Sequence, residues 1–501
     1  MRPIPRMRTL VLLVLGFASA ISTAGQQPSA PIELAQGILA GEVTEDSAIL
    51  QSRLTRPVGR IDTRWSGIPG APGFARFELS TDGFTTTVST VVVEALPEND
   101  FIVKTRVAEL RPSTVYEYRL NYGTQRDLGY VSEPARFRTH DGAASRSEWS
   151  FAVVTGMNYS FFHHIGGGGY PPANGEDKEL GYPGLESIRE LEPQFFIGTG
   201  DNVYYDHPAL GRAQSLHEMR KKHYEQFSQP RFRALFQSVA TYWMKDDHDY
   251  RWDDADPHNP YRGGSSMEAN QPSHELGVAV FREQLPVVDP ADPGALTYRT
   301  HRLNKDLQIW LLEARDYRSP NTMPDGPGKS VWGERQREWL EQTLVASDAT
   351  FKVIVTPTPL VGPDDARKKD NHTNIGGFQH EGNAFLTWLE ENGFLEKGLY
   401  FVSGDRHWQY HSIHPSGFEE FSCGALVRQN SRLGRKPGDA RSTDPNGLIE
   451  QPFTNDRPTG GFLLVKVTPD DAQKRSVLDF VLYSDVGEQL YRESKVGVWV
   501  E

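Results

Sequence analysis

From about residue 31 to residue 140, short apolar runs alternate with polar positions. Ala35–Thr44 and Ser47–Arg53 are strand candidates split by a turn, and Arg76–Ser80, Thr90–Glu94 and Phe101–Arg106 continue the series. Leu110–Leu120 alternates strictly, as a half-buried strand does, because successive side chains point to opposite faces. Turn signals recur at about the 8–12-residue spacing of an all-β sandwich. From about residue 148 the pattern changes: apolar segments now alternate with longer helical patterns. The predicted strands are Trp149–Thr155, Pro193–Gly198, Ala240–Met244, Leu307–Leu312, Phe351–Thr356 and Leu399–Ser403. The predicted helices are Gly184–Leu191, Leu216–Phe227, Gly333–Ala346 and Gly382–Gly393. This is α/β patterning. The tail returns to strands, Gly461–Val467 and Val477–Tyr483, expected to close the sheet antiparallel.

A chain of 501 residues is too long for one core, so more than one domain is expected. Residues 1–24 read as a secretory signal: Arg2, Arg6 and Arg8 are followed by the short apolar run Leu10–Ala20, with cleavage after Ala18-Ser-Ala20 or Ser22-Thr-Ala24. No later stretch is long and apolar enough for a membrane span. The expected location is therefore exported, periplasmic or extracellular. A net charge of −13 argues against a nucleic-acid or anionic-membrane surface. It leaves room for a local basic loop, and Arg428, Arg432, Arg435, Lys436 and Arg441 form one: either a solvated loop or a means of concentrating an anionic substrate. The single cysteine, Cys423, excludes an internal disulfide and reads as a buried small residue. The run Gly166–Gly169 is followed by no Lys-Ser/Thr, so it reads as a flexible loop and not a phosphate cradle.

Three predicted strands end in chemistry. The first runs into Gly198-Thr-Gly-Asp-Asn-Val-Tyr-Tyr-Asp206, placing a carboxylate where open α/β sheets bind ligands. Asp201 is read as bridging two metal ions, with Tyr204 a phenolate ligand to one. The second runs into Lys245-Asp-Asp-His-Asp-Tyr250. Acidic groups so close repel one another unless a cation sits among them. Asp247 is the ligand candidate there, and His248 the acid that protonates a leaving oxygen. The third is Ser403-Gly-Asp-Arg-His407, in which Asp405 and His407 face one side if the segment stays extended. Taken singly each is a capped turn or an acidic surface loop; together and in this order they point to a metal site. Oxygen-rich ligation suits hard ions, and the lack of paired cysteines argues against structural zinc.

The three motifs, with Leu312-Glu-Ala-Arg-Asp-Tyr-Arg318, resemble the PhoD-type alkaline phosphatases of the calcineurin-like metallophosphoesterase superfamily. The Leu110-x-Pro-x-Thr-x-Tyr-x-Tyr118 pattern resembles a fibronectin type III domain near its tyrosine corner. The resemblance implies an αββα catalytic sandwich over residues 148–501, preceded by a fibronectin III-like β domain over residues 31–140. That domain is either a structural cap or a carbohydrate- or surface-binding module. It further implies an iron–calcium site, Fe3+ and Ca2+, built around Asp201, Tyr204, Asp405 and His407 with Asp247 nearby; Mn2+, Mg2+ or Zn2+ are the other candidates. Arg315 and Arg318 would support the ligands or face the phosphate, or else form structural ion pairs. The family's first strand ends in a cysteine or aspartate ligand. Here it ends Val154-Thr-Gly-Met-Asn-Tyr159, so Asn158 or Tyr159 substitutes or the position is empty. His372 is a further ligand, a substrate contact or a hydrogen-bonded loop histidine.

The expected reaction is hydrolysis of small phosphate monoesters by a metal-bound hydroxide. The alternatives are a phosphodiesterase of phospholipase D type using the same ions, and an exported protein that keeps a metal without catalysis.

Overall fold

The computed structural model describes residues 32–57, 67–259 and 271–499, so the signal read at residues 1–24 lies outside the described residues. Two large sheets lie face to face. The first has nine strands, in the order Gln489–Val498, Arg475–Ser484, Gly461–Asp470, Trp149–Val154, Phe195–Gly198, Ala240–Trp243, Ile38–Gly41, Ala48–Arg53 and Ile102–Val107. The four strands from Trp149–Val154 to Ile38–Gly41 run parallel. The second has seven strands, with Leu307–Leu311, Phe351–Thr356, Leu399–Ser403 and Glu419–Cys423 parallel at its centre.

The strands read as unbroken apolar runs because both of their faces are covered. Phe151, Val153, Phe195 and Ile197 point into the layer between the sheets, where they meet Ile309, Leu311, Val353 and Val355 of the opposite sheet. Their chain neighbours Ala152, Val154 and Phe196 point outward, beneath the helices Pro183–Glu190, Leu216–Phe227, Pro230–Phe236 and His274–Gln284. On the far side Trp310 and Ile354 lie beneath Gly333–Ala346 and Gln379–Glu391. The period-2 geometry of a strand thus builds four layers, αββα.

The N-terminal stretch divides between two sheets. Ile38–Gly41 pairs in parallel with Ala240–Trp243, and Ala48–Arg53 and Ile102–Val107 follow it, so these strands extend the nine-stranded sheet. Gly73–Ser80, Val115–Gly123 and Ala135–Arg138 belong to a separate six-stranded sheet. The Tyr116 hydroxyl accepts a hydrogen bond from the Arg111 backbone N–H at 2.9 Å, the local arrangement of a tyrosine corner. Strand pairing thus crosses from the N-terminal stretch into the nine-stranded sheet.

The parallel strands carry their carboxyl ends to one edge, where the two sheets meet. Thr155 bridges to Ala425 across them. At Gly404 a Cβ would lie 2.5 Å from Thr199 Oγ1 and 2.8 Å from Pro357 O, so only glycine lets these two strand ends approach.

Candidate metal centre

Asp201 follows Gly200, whose φ of +110° is open to glycine and where a Cβ would lie 2.5 Å from Asp246 Cβ. That close approach sets the loop after Phe195–Gly198 against the loop after Ala240–Trp243. Asp201 and Asp405 both take a φ of 55°, a left-handed conformation uncommon outside glycine, asparagine and aspartate. Matched strand-end aspartates in this region are where backbone strain accompanies a site.

Asp201 is 1 % exposed. Its Oδ2 accepts from the Tyr204 hydroxyl at 2.6 Å and lies 3.0 Å from His407 Nε2. Its Oδ1 is buried with no hydrogen-bond partner. An orphaned buried carboxylate oxygen is costly and a cation removes the cost, so this residue set fits a metal. Asp201, Asp247 and His248 offer ligand atoms all within 4.8 Å of one another; Asp206, His207 and His248 form a second such group, and Asp247, Asp253 and Asp254 a third.

The protonation states follow from charge and burial. Asp247 is buried, which opposes ionisation, but the charges of His248 and Arg315 hold its carboxyl far below the usual range. It accepts from the backbone N–H of His248 at 3.0 Å and of Asp254 at 2.5 Å. Burial pushes the His407 imidazole down to about 4, with the Arg432 charge acting in the same direction, so it is neutral and able to ligate. Burial first, then the Asp201 charge, raises the Tyr204 phenol well above its ordinary value. The Tyr204 oxygen also accepts from Asn430 Nδ2 at 2.7 Å, and its ring stacks on His248 with centroids 4.3 Å apart. His248 Nδ1 lies 2.8 and 3.0 Å from the Asp206 carboxylate oxygens. Burial disfavours the imidazolium there, but Asp206, Asp247 and Asp201 outweigh it and raise the pKa well above the ordinary value.

Asp405 and His407 both stand outside the three groups: His407 reaches Asp201, whereas the Asp405 carboxylate pairs with the Arg406 guanidinium. Arg315 is fully buried; its Nε donates to Asp246 at 2.6 Å and its Nη1 to Ala255 O at 2.8 Å, while its Nη2 lies 3.9 Å from Asp247. It braces the Asp246–Asp247 loop from behind. Arg318 donates to the Asp370 carbonyl and packs over the Phe378 ring. His372 bonds Glu381 at 2.9 Å against the Trp332 ring, as a structural histidine does. Cys423 is buried, with its thiol pushed up to about 12 by that burial.

At the end of the first strand Asn158 spends its side chain on His207, at 2.7 Å, and on the Phe161 N–H, at 3.0 Å. The Tyr159 ring lies against His163, with centroids 4.2 Å apart. At Gly156 a Cβ would meet Ala425 Cβ at 2.7 Å and His407 Cδ2 at 3.3 Å. Asn430 Nδ2 closes the gap, donating to Gly156 O at 3.1 Å as well as to Tyr204. No local signal marks Asp206 or Asn430 as members of this site, while Arg432 stands in the basic loop that the sequence shows. Asp206 stands inside the Gly-Asp stretch, but its partner His248 is 42 residues away, and Asn430 is 226 residues from Tyr204.

A cavity of about 550 Å3, lined in part by Asp206, His207, Asp253 and Asp370, opens beside His248. The cavity of about 660 Å3 between Lys104 and helix His274–Gln284 is larger, but none of the three groups lines it.

Two facing sheets between helices, with carboxylates and imidazoles gathered at their carboxyl ends, define a metallophosphoesterase. The chain belongs to the PhoD-like phosphatases: that family's model matches residues 151–473, and the model of its N-terminal domain matches residues 18–141. It is thus a metal-dependent phosphoric ester hydrolase. A structure of PhoD superposes with a TM-score of 0.69 at 17 % identity, covering 94 % of each chain. A purple acid phosphatase, PPD1 from yellow lupin (Lupinus luteus) seeds, superposes with a TM-score of 0.57 at 12 % identity, covering 92 % of this chain and 73 % of that one. No curated protein matches the chain.

Proposed function

We propose that this protein is an exported alkaline phosphatase that hydrolyses phosphate monoesters, with Asp201, Tyr204, Asp247, Asp405 and His407 holding the metal ions and His248 supplying the proton. The observation that carries the reading is the buried, unpartnered Asp201 Oδ1 beside Asp247 and His248. The resemblance to PhoD favours Fe3+ with Ca2+. When bound, such ions supply positive charge to the phosphoryl oxygens and activate water.

The chain's own groups do the rest. Asp206 fixes the tautomer of His248 by holding Nδ1, which leaves the Nε2 proton for the leaving oxygen. The Asp206 carboxylate at Nδ1 favours the protonated ring, so a proton is at hand when the alkoxide departs. Arg315 acts through Asp246 and Asp247 as a positioning residue. Asn430 orients the Tyr204 oxygen.

The test is the Asp201→Ala variant. Metal content and turnover of p-nitrophenyl phosphate should both be lost, and wild-type turnover in this variant refutes the assignment. Rates on bis(p-nitrophenyl) phosphate measured alongside decide between monoester and diester preference.

A further inference from the structure

On the His407 side of the cluster lies a second cleft of about 630 Å3, in which Arg367, Lys368, Arg406, Arg432 and Arg435 face Asp253, Asp254, Asp364 and Asp365. Most of these charges are already matched. Lys368 pairs with Asp254 and lies 3.6 Å from Asp253. Arg406 pairs with Asp364. Asp365 is shared, taking Arg367 at 3.1 Å and Arg435 at 2.7 Å, and Arg435 also lies 3.6 Å from Asp439. Arg432 is the lining cation that makes no direct ion pair among the described residues; the Asp364 and Asp201 charges act on it from farther away.

Its placement is specific. The Arg432 backbone N–H donates to His407 O at 3.0 Å, which ties it to the metal-ligand strand end. Its guanidinium lies over Trp408, 5.5 Å from the ring centroid, with Arg406 the same distance from that ring. The indole thus preorganises a cation that projects into the cleft. Where the other lining cations are matched by Asp253, Asp254, Asp364, Asp365, Asp405 and Asp439, Arg432 is the cleft's cation left to meet an anion. A guanidinium is suited to phosphate because it offers paired donors in one plane.

We propose that this cleft is a subsite for a second phosphate group carried by the leaving group of the substrate, with Arg432 its main contact. The inference rests on the phosphatase reading for the first phosphate. The substrate class is then a bisphosphorylated ester: one phosphate is cleaved at the metal centre and the other is held by Arg432.

The test measures binding of two non-hydrolysable probes to the metal-loaded enzyme by titration calorimetry: propylphosphonate, and propane-1,3-diphosphonate, which differs by one phosphonate. The wild type should bind the diphosphonate about tenfold or more tightly, the worth of one charge-assisted hydrogen-bond pair. Arg432→Gln should collapse that ratio towards one, and Arg432→Lys should keep part of it. Equal affinities for the two probes in the wild type, or a ratio unaltered in Arg432→Gln, overturns the proposal. Turnover of p-nitrophenyl phosphate is measured in parallel: its absence refutes the phosphatase reading, while the probe ratio reports on the subsite independently.

Discussion

Asp206→Asn isolates the role given to His248. The substitution keeps the size of the side chain and removes the charge that holds Nδ1 at 2.8 Å. A hydrogen bond to a charged group contributes about 1.5–3 kcal/mol, so the imidazolium loses about that much relative to the neutral ring. General-acid assistance is typically worth about 10²–10⁴-fold, and it matters only where the leaving oxygen needs a proton. The loss should therefore depend on the leaving group. For p-nitrophenyl phosphate, whose phenolate departs unaided, kcat should fall by less than about tenfold. For glycerol 3-phosphate, whose alkoxide needs the proton, it should fall by about 10²-fold or more. Steady-state kcat on both esters, with metal content verified, is the assay. Equal losses on the two esters would show that Asp206 acts on folding or metal retention and not on proton donation.

Other elements give independent predictions. Lys104 Nζ donates to the carbonyls of Arg282 (2.7 Å), Glu283 (3.0 Å) and Leu285 (2.7 Å) at the end of helix His274–Gln284; Lys104→Met leaves them without that donor and should cost about 3 kcal/mol, read from urea midpoints. Arg315→Met strands the buried Asp246 carboxylate and should cost about 3–5 kcal/mol, much of it recovered when Asp246→Leu is added; no recovery in the double variant would show a role beyond that pair. His163 and His223 are buried and neutral, with burial pushing them down to about 4 and about 3. The unfolded chain binds their protons near pH 6.5 and the folded one does not, so the stability they contribute is present above pH 6.5 and lost as pH falls towards 4 and 3. Denaturant midpoints should drop across that window, less steeply in His163→Gln.

The strands that build the centre were legible because parallel strands buried on both faces are continuous apolar runs, and because each ends in a short local motif. The strands Gln409–Ile413 and Glu419–Cys423 are not legible as apolar runs. They carry polar groups whose partners are distant in sequence: Glu420 is buried because it accepts from the N–H groups of Leu360 (2.6 Å), Val361 (3.1 Å) and Gly362 (3.0 Å), and from Tyr410. Of the N-terminal strands, Ala48–Arg53 and Ile102–Val107 match the expected runs closely, whereas Thr90–Glu94 is strand only from Val93 and Ala135–Arg138 gives no clear run; their division between two sheets depends on the pairing of Gly41 with Thr241, which no local pattern encodes. Within the site, Asp201, Tyr204, Asp247, Asp405 and His407 are legible from strand-end position and from the family resemblance. Asp206 and Asn430 act through partners far along the chain. The basic loop 428–441 showed its charge in the sequence, but which arginine makes no direct ion pair depends on the folded arrangement of Asp365 and Asp439.

The central claim is that cations sit against the buried Asp201 carboxylate. Anomalous diffraction from crystals of the metal-loaded protein tests it most directly. The account predicts strong anomalous density in contact with Asp201 Oδ1, flanked by Asp247 and His407. A protein that refines with full occupancy of these side chains and anomalous density only at other positions would contradict it.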